Sequence, residues 1–362
     1  MPDLQVKTIR SMAEFEAISQ EWTELLNSSA APSFFLTWEW LYSWAKTVLS
    51  DSTDLFVLVG YENNGLMFVA PLYIKRSKTY FLTNRELRFL GTPETGSDYL
   101  DVITKKGCEQ KAAEAVYNYL HSSFRAEWSQ INFTDIRADS LFLLHFINRI
   151  EKDGKYYAFN RLSYCPVLEL PQSEEQLYAG LSKGWRKKIK QDMRVLSRDY
   201  AIDHQTYAGP DAEQYLDVFF QHYQEHTDWT AKILKPVLGT FINQNQHPAS
   251  VQLDFLYVDG TLRAALLHLT HKKTLAMFLM TVDKKFNPKI SVGNVLVGRS
   301  ILNAMRSGYA YYDFLKGDER YKFHWASAGQ ATVALQLWQK TLPSLVFALR
   351  RIIKNTGKLL LR

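Results

Sequence analysis

Ionisable, hydrogen-bonding and stacking groups fall together in one short stretch, Asp313 to Trp325, which reads D-F-L-K-G-D-E-R-Y-K-F-H-W. A helix-like segment ends at Gly308 and a strand-like run, Tyr309 to Leu315, leads into it. The ends of strands are where α/β folds tend to place chemistry. Asp313 could accept a proton if burial raised its pKa toward neutrality. Tyr321 and Lys322 could stabilise an oxyanion or protonate a leaving group, and Lys322 could instead bind a phosphate. His324 and Trp325 offer a polar and a stacking surface to a substrate. The same residues also fit a plainer reading, in which Asp313 caps a turn and Tyr321 and Trp325 are core.

A second cluster is Lys183 to Arg198, K-G-W-R-K-K-I-K-Q-D-M-R-V-L-S-R. Trp185, Ile189, Met193 and Leu196 recur at helical spacing, so one helix face is buried and cations surround it. Trp185, Arg186 and Lys187 would then meet a diphosphate, a nucleotide or tRNA; a solvated helix face is the alternative. His222 to His226, H-Y-Q-E-H, matches an inverted zinc-protease pattern, but the acidic third ligand would have to be Glu319, so an ordinary amphipathic helix is favoured and no metal is expected. In the first half, Thr37 is a candidate helix cap, Trp38 a candidate stacking surface, and Trp40 and Trp44 are neighbours one turn apart. The turn-rich loop Gly91 to Asp101 offers Asp98, Tyr99 and Asp101 to sugar hydroxyls, or serves turn chemistry alone.

These groups need a scaffold, and composition bounds it. The chain has 362 residues, 46% apolar, with 20 Tyr, 21 Phe and 9 Trp and a net charge of +6. That length suggests two domains, and the apolar fraction is that of a globular protein. The mild positive charge suits an anionic ligand. Cys108 and Cys165 are the only cysteines, which excludes a disulfide framework or a cysteine-rich zinc site. With no apolar signal core or spanning segment, a cytoplasmic protein is expected.

Two hairpins stand out, Leu55 to Ile74 around Asn64-Gly65 and Leu253 to Leu269 around Asp259-Gly260. Each is preceded by helical sequence, Glu14 to Leu26 and Trp38 to Val48 in one half, Glu174 to Arg198 and Asp211 to Asn243 in the other. Each is followed by a strand, a helix and a strand: Leu87 to Ile103, Glu109 to Phe124 and Gln130 to Asp135, then Thr274 to Val282, Val292 to Arg306 and Tyr311 to Leu315. This predicts a duplicated α/β (α+β) unit, each copy a mixed, mostly antiparallel sheet flanked by helices. The boundaries expected are 1–165, 166–341 and a basic amphipathic helix, 342–362, that could lie on the inner face of a membrane or dock on its own domain.

The order of elements is that of the GNAT acyltransferase superfamily. The F-L-T-W-E-W opening, the W-R-K-K-I-K helix and the closing D-F-x-x-G-D-x-x-Y-K-x-x-W resemble the CelD-like (cellulose biosynthesis) GNAT proteins, which are related in fold to FemAB peptidyltransferases. The resemblance spans nearly the whole chain. It implies two GNAT units in tandem and transfer of an acyl group, with acyl-CoA as co-substrate and no tightly bound cofactor, to an amine or hydroxyl of a sugar or cell-envelope (exopolysaccharide) precursor. It assigns the strand-end acid to Asp313, the turn to Gly317 and Asp318, the Tyr-Lys pair to Tyr321 and Lys322, and the basic helix to Arg186 and Lys187. The superfamily's pyrophosphate loop, R-x-x-G-x-G/A, has no full counterpart: Asn287 to Asn294 reads N-P-K-I-S-V-G-N, leaving Gly293 and Asn294, with Gly317, as the donor-binding candidates. Two further readings stay open, a FemAB-type aminoacyltransferase using aminoacyl-tRNA and a GNAT fold that binds without turnover. DNA is not expected as a partner.

Overall fold

A computed structural model describes residues 4–30, 32–79, 82–226, 232–244 and 250–339. The expected terminal helix, 342–362, lies outside them. The chain divides into two compact units, residues 1–162 with 332–362, and residues 163–331.

The first unit contains β1 (Leu4–Ile9), α1 (Met12–Ala17), α2 (Ser19–Ser28), α3 (Trp38–Val48), β2 (Thr53–Glu62), β3 (Gly65–Thr79), β4 (Leu82–Phe89), β5 (Ile103–Thr104), α4 (Glu109–His121), β6 (Gln130–Arg137) and α5 (Leu141–Lys152). Its sheet runs β1-β2-β3-β4-β6, antiparallel except for the parallel pair β4 and β6, which the helix α4 connects. The first hairpin forms with its turn one residue earlier than the Asn64-Gly65 pair expected: Asn63 and Asn64 take φ of 51° and 64°, the left-handed pair a tight two-residue turn needs, and Gly65 opens β3. Trp22, Trp40, Trp44, Phe56, Phe68 and Phe89 are wholly buried and form the core. The segment read as one strand, Leu87 to Ile103, is instead the end of β4, a pinned loop and the short β5.

The strand β7 (Tyr157–Glu169) takes the chain from the first unit into the second. The second unit continues with α6 (Glu174–Gly180), α7 (Lys183–Asp199), β8 (Ile202–Ala208), α8 (Leu216–His226), α9 (Leu234–Gln244), β9 (Ser250–Val258), β10 (Thr261–His271), β11 (Thr274–Val282), α10 (Val292–Arg306), β12 (Tyr311–Asp313), the one-turn α11 (Lys322–Trp325) and β13 (Ala328–Trp338). Its sheet runs β8-β9-β10-β11-β12-β7, antiparallel except for the parallel pair β11 and β12, which α10 connects. The expected helix Glu174 to Arg198 is therefore two helices: Ser182 breaks it, its hydroxyl capping α7 by accepting from the Trp185 N–H. From Thr332 onward β13 pairs along β6, so these residues belong with the first unit rather than within the expected 166–341 segment.

The duplication is thus explicit in hydrogen bonding. Each unit has a hairpin, then a parallel pair joined by a crossover helix, then a closing antiparallel strand. That closing strand is β13 in the first unit and β7 in the second.

Candidate active site

In the second unit β12 ends at Asp313, which lies opposite Val167 of β7 and Ala276 of β11. Its side chain is buried, and one carboxylate oxygen accepts the Leu315 N–H at 2.8 Å. The acid therefore shapes the loop it opens, where Leu315 itself sits at a φ of 51°. Gly317 follows at a φ of 139°, a conformation that other residues adopt only with strain. A Cβ there would also meet the ends of Glu319 and Lys322. Lys322 is buried; its ammonium donates to the Lys316 carbonyl at 2.8 Å and pairs with Glu319 at 3.0 Å. These two partners tie the Lys322 ammonium into the loop. Burial first, and the Glu319 carboxylate second, push the Tyr321 phenol well above its ordinary pKa, so it stays protonated and has an O–H to donate.

The loop delivers α11 against α7 and α10. His324 is exposed and stacks on Trp185, ring centroids 4.3 Å apart, while Trp325 meets Trp185 edge-on at 6.0 Å. Trp325 reaches this position because α10 carries glycine at 298: a Cβ there would lie 2.7 Å from Met193 Cε and 3.1 Å from Trp325 Cη2. Both indole N–H groups, of Trp185 and Trp325, are buried without a hydrogen-bond partner, a cost that a ligand acceptor would relieve. Arg186 and Lys187 stand in the first turn of α7 beside this wall. No described carboxylate pairs with Lys183, Arg186, Lys187 or Arg194, in contrast to Lys188. The sequence motif and the basic helix therefore meet at Trp185, His324 and Trp325.

The start of α10 is built differently from an open anion site. Gly293 packs on β11, where a Cβ would lie 2.7 Å from Val282 Cγ2, so this glycine serves close helix–strand approach. Asn294 donates to the Ser291 hydroxyl at 2.6 Å. The Ser291 N–H, at the cap of α10, donates to Asp192 Oδ2 at 3.1 Å; Asp192 is itself held by Lys188 at 2.6 Å. A carboxylate from α7 thus sits where the helix dipole favours negative charge.

A family profile described as an acetyltransferase (GNAT) domain matches residues 183–323, which run from α7 through α11. Residues 183–323 are therefore similar to a GNAT acetyltransferase domain, and that match supports an acyltransferase. FemX matches over 95% of this chain and 99% of its own at 10% identity, with a TM-score of 0.60. A tandem GNAT protein from the clavulanic acid biosynthesis pathway matches over 91% and 98% at 9% identity and 0.54. L-PGS from Bacillus licheniformis matches over 92% and 96% at 12% identity and 0.53. At such identities the likeness is one of fold, and it agrees with the expected tandem of GNAT-like units. No curated protein sequence matches the chain.

The GNAT domain also holds a buried polar chain that sequence reasoning missed. Asp254, His268, Ser300 and Tyr312 are wholly buried. His268 Nε2 lies 2.9 Å from the Tyr312 hydroxyl and 3.1 Å from Ser300 Oγ; its Nδ1 is 3.2 Å from Asp254 Oδ2. Burial raises Tyr312 well above its ordinary pKa, so its hydroxyl stays protonated beside Nε2, while Nδ1 faces Asp254. Burial lowers His268 to about 4, against the pull of Asp254, so the ring is neutral and the pair is not a salt bridge. Burial alone would raise Asp254, but the contact with His204 and the hydrogen bond from Thr206 Oγ1 at 2.6 Å help outweigh it and hold the carboxyl below its usual range. These residues come from β8, β9, β10, α10 and β12, so no local spacing announces them. The chain ends on Tyr312, next to Asp313.

In the same domain His222 is buried with its Nδ1 3.0 Å from Thr281 Oγ1, tying α8 to β11. The remaining candidates lie in the first unit. Trp38 donates its indole N–H to the Phe15 carbonyl at 2.9 Å and stacks on Tyr42, which is packing within that unit. Thr37 occupies the cap position of α3, but its hydroxyl donates to the Phe34 carbonyl rather than capping the helix. Asp98 is buried, and Tyr99 takes a φ of 54°. Asp101 is buried at a cavity of about 180 Å³ shared with Arg137 and Ser140. Burial, opposed by bonds from Ser140 and the Val102 N–H, lifts its carboxyl to about 7.

Proposed function

We propose that this acyltransferase moves an aminoacyl group from an aminoacyl-tRNA-type ester to an amine or hydroxyl of a cell-envelope or sugar precursor, with the GNAT domain of the second unit as its catalytic part. The observation that carries the donor is the Asp192 carboxylate on the Ser291 N–H. A pyrophosphate-bearing donor such as acyl-CoA would have to share the start of α10 with a resident anion, and like charges there repel. The exposed cations Lys183, Lys187 and Arg194 of α7, together with Arg186, suit a polyanion instead. The acceptor class follows from the resemblance to CelD-like and FemAB-type proteins.

In this reading the acceptor amine attacks the ester carbonyl. The new C–N bond forms, the ester C–O bond breaks, and the amine proton passes to Asp313 at the end of β12. Tyr321, kept protonated by burial, supplies a proton to the departing ester oxygen, which leaves as a hydroxyl. Trp185 and His324 bind the acceptor or the terminal base of the donor by stacking.

The test is binding and transfer with the full chain. Aminoacyl-tRNA should bind with an affinity that falls steeply with salt, and Arg186→Gln should reduce that slope by about one contact's worth. Asp313→Asn should lower transfer about 100-fold. A second reading, acyl-CoA as donor, is favoured by the acetyltransferase description of the matching family. Acylation driven by acetyl-CoA in the absence of tRNA would establish it and sink the first.

A further inference from the structure

Away from the proposed site, the second unit holds a cavity of about 530 Å³ against the C-terminal half of α10. Glu174 and Tyr178 of α6, His204 of β8, and Arg299, Asn303 and Arg306 of α10 line it. Arg299 is half-buried, and burial alone draws its pKa down. Among the described residues it has no carboxylate, carbonyl or aromatic partner. A guanidinium keeps its charge at any physiological pH, and a desolvated charge without a counter-ion is costly. Arg306 lies two helical turns further on, about 10 Å along the axis. Its one hydrogen bond is a long one, 3.4 Å to Asn303 Oδ1. Glu174 lines the same cavity yet pairs with neither arginine, so the cavity keeps a net positive charge facing open space.

We propose that this cavity binds a small molecule bearing an oxyanion, a carboxylate or a phosphate ester, with Arg299 as its anchor and Arg306 and Asn303 as further donors. A planar fork of N–H groups suits both kinds of anion. Glu174 selects among such ligands for those with an amine or hydroxyl on the opposite end. The back of the cavity is His204, whose Nε2 is 3.4 Å from Asp254 Oδ1. From Asp254 the buried chain continues through His268 to Tyr312, the neighbour of Asp313. The occupant would therefore touch the same polar network that holds the end of β12. The proposal does not depend on which donor the GNAT domain uses.

The experiment is thermal unfolding and titration calorimetry of the full chain with inorganic pyrophosphate and, separately, with citrate, at constant ionic strength. One of the two should bind saturably with a dissociation constant below about 1 mM, and at 100 times that constant it should add about 2.7 kcal/mol of stability. A response to pyrophosphate assigns a phosphate ligand, and a response to citrate a carboxylate. Arg299→Gln should weaken that binding at least tenfold, and Arg299→Lys should weaken it less. Lys46→Gln, which removes an exposed cation from α3 of the first unit instead, should leave it unchanged. Should Arg299→Gln not fold, Arg306→Gln supplies the same comparison. The proposal is overturned if neither anion binds saturably, or if both arginine variants bind as the wild type does. In that case the arginines only complement the dipole at the end of α10.

Discussion

The two units carry the same crossover, β4-α4-β6 in one and β11-α10-β12 in the other, and they end it differently. Both crossover helices start under an internal carboxylate. Glu109 of α4 accepts the Gly107 N–H at 3.1 Å, and Asp192 accepts the Ser291 N–H at 3.1 Å. Past the helix, β6 runs on through Asp135, at a φ of 60°, and pairs with β13 almost along its whole length. In contrast, β12 stops at Asp313 after three residues and opens into the Gly317 loop and α11. A duplicated scaffold thus separates two jobs. The parallel pair and its helix make the frame, and whatever leaves the end of the second strand decides whether that frame presents a site.

The sharpest way to break this contrast is at its glycines. Gly317→Val places a branched side chain at a φ of 139°, with a Cβ 2.1 Å from the Glu319 carboxylate. Backbone strain of about 3 kcal/mol is expected. If the loop moves to relieve it, transfer should fall on the order of 100-fold, measured as kcat/KM. Gly107→Ala, at a φ of 85° with open space around it, is a control for left-handed glycine strain in the first unit, ahead of α4. It should cost about 1 kcal/mol of stability and leave transfer intact. Equal losses of activity in the two variants would show that backbone strain anywhere in the chain, and not the end of β12, sets the loss.

Next in size is the response to pH, where the units should oppose each other. Asp101 is an acid whose folded pKa is raised to about 7, so the first unit is favoured at low pH and loses stability as pH rises from about 4 to 7. His268 is a base whose folded pKa is lowered to about 4, so the second unit loses stability as pH falls from about 6.5 to 4. Denaturant unfolding followed from pH 4 to 8 should resolve two transitions that move in opposite directions. Asp101→Asn should stabilise the first unit by about 1 kcal/mol or more at pH 8 and by little at pH 4. A single transition with one pH dependence would remove the contrast.

The smallest effect is at the aromatic wall. His324→Ala removes a stacking partner of Trp185, worth about 1 kcal/mol. It should raise KM a few-fold and leave kcat nearly unchanged, since stacking holds the bound and reacting states alike. A loss confined to kcat would instead place His324 in proton transfer.

The parts of the molecule that the sequence made legible are those with local signatures. The left-handed pair Asp259-Gly260 puts the second hairpin where its dipeptide said, Asn63-Asn64 puts the first within one residue of it, and the crossover helices α4 and α10 follow from their apolar period. The strands β1 and β8 went unread because they alternate between partly buried and exposed positions, which weakens the apolar signal. The long helix read across Glu174 to Arg198 hid its break, because the apolar period runs on through it, although Gly180 ends α6 and Ser182 caps α7. In the candidate site, the meeting of Trp185 with His324 and Trp325 followed from two motifs read separately. The roles of Gly298, Lys322 and Asp192 did not, since each depends on what the neighbouring element brings within a few ångströms. The Asp254–His268–Tyr312 chain is the extreme case, assembled from residues that share no element.

The pairing of β13 with β6 joins Thr332 to Arg137 and Trp338 to Gln130. On a ribosome, residues 163–331 are all made, and leave the exit tunnel, ahead of the strand that closes the first sheet. The second unit can therefore finish folding while the first still exposes β6 as an open edge, a surface prone to pairing with other chains. The unit that starts the chain is then the last to be completed, and a chaperone that shields β6 during synthesis would act on the first-made half of the protein.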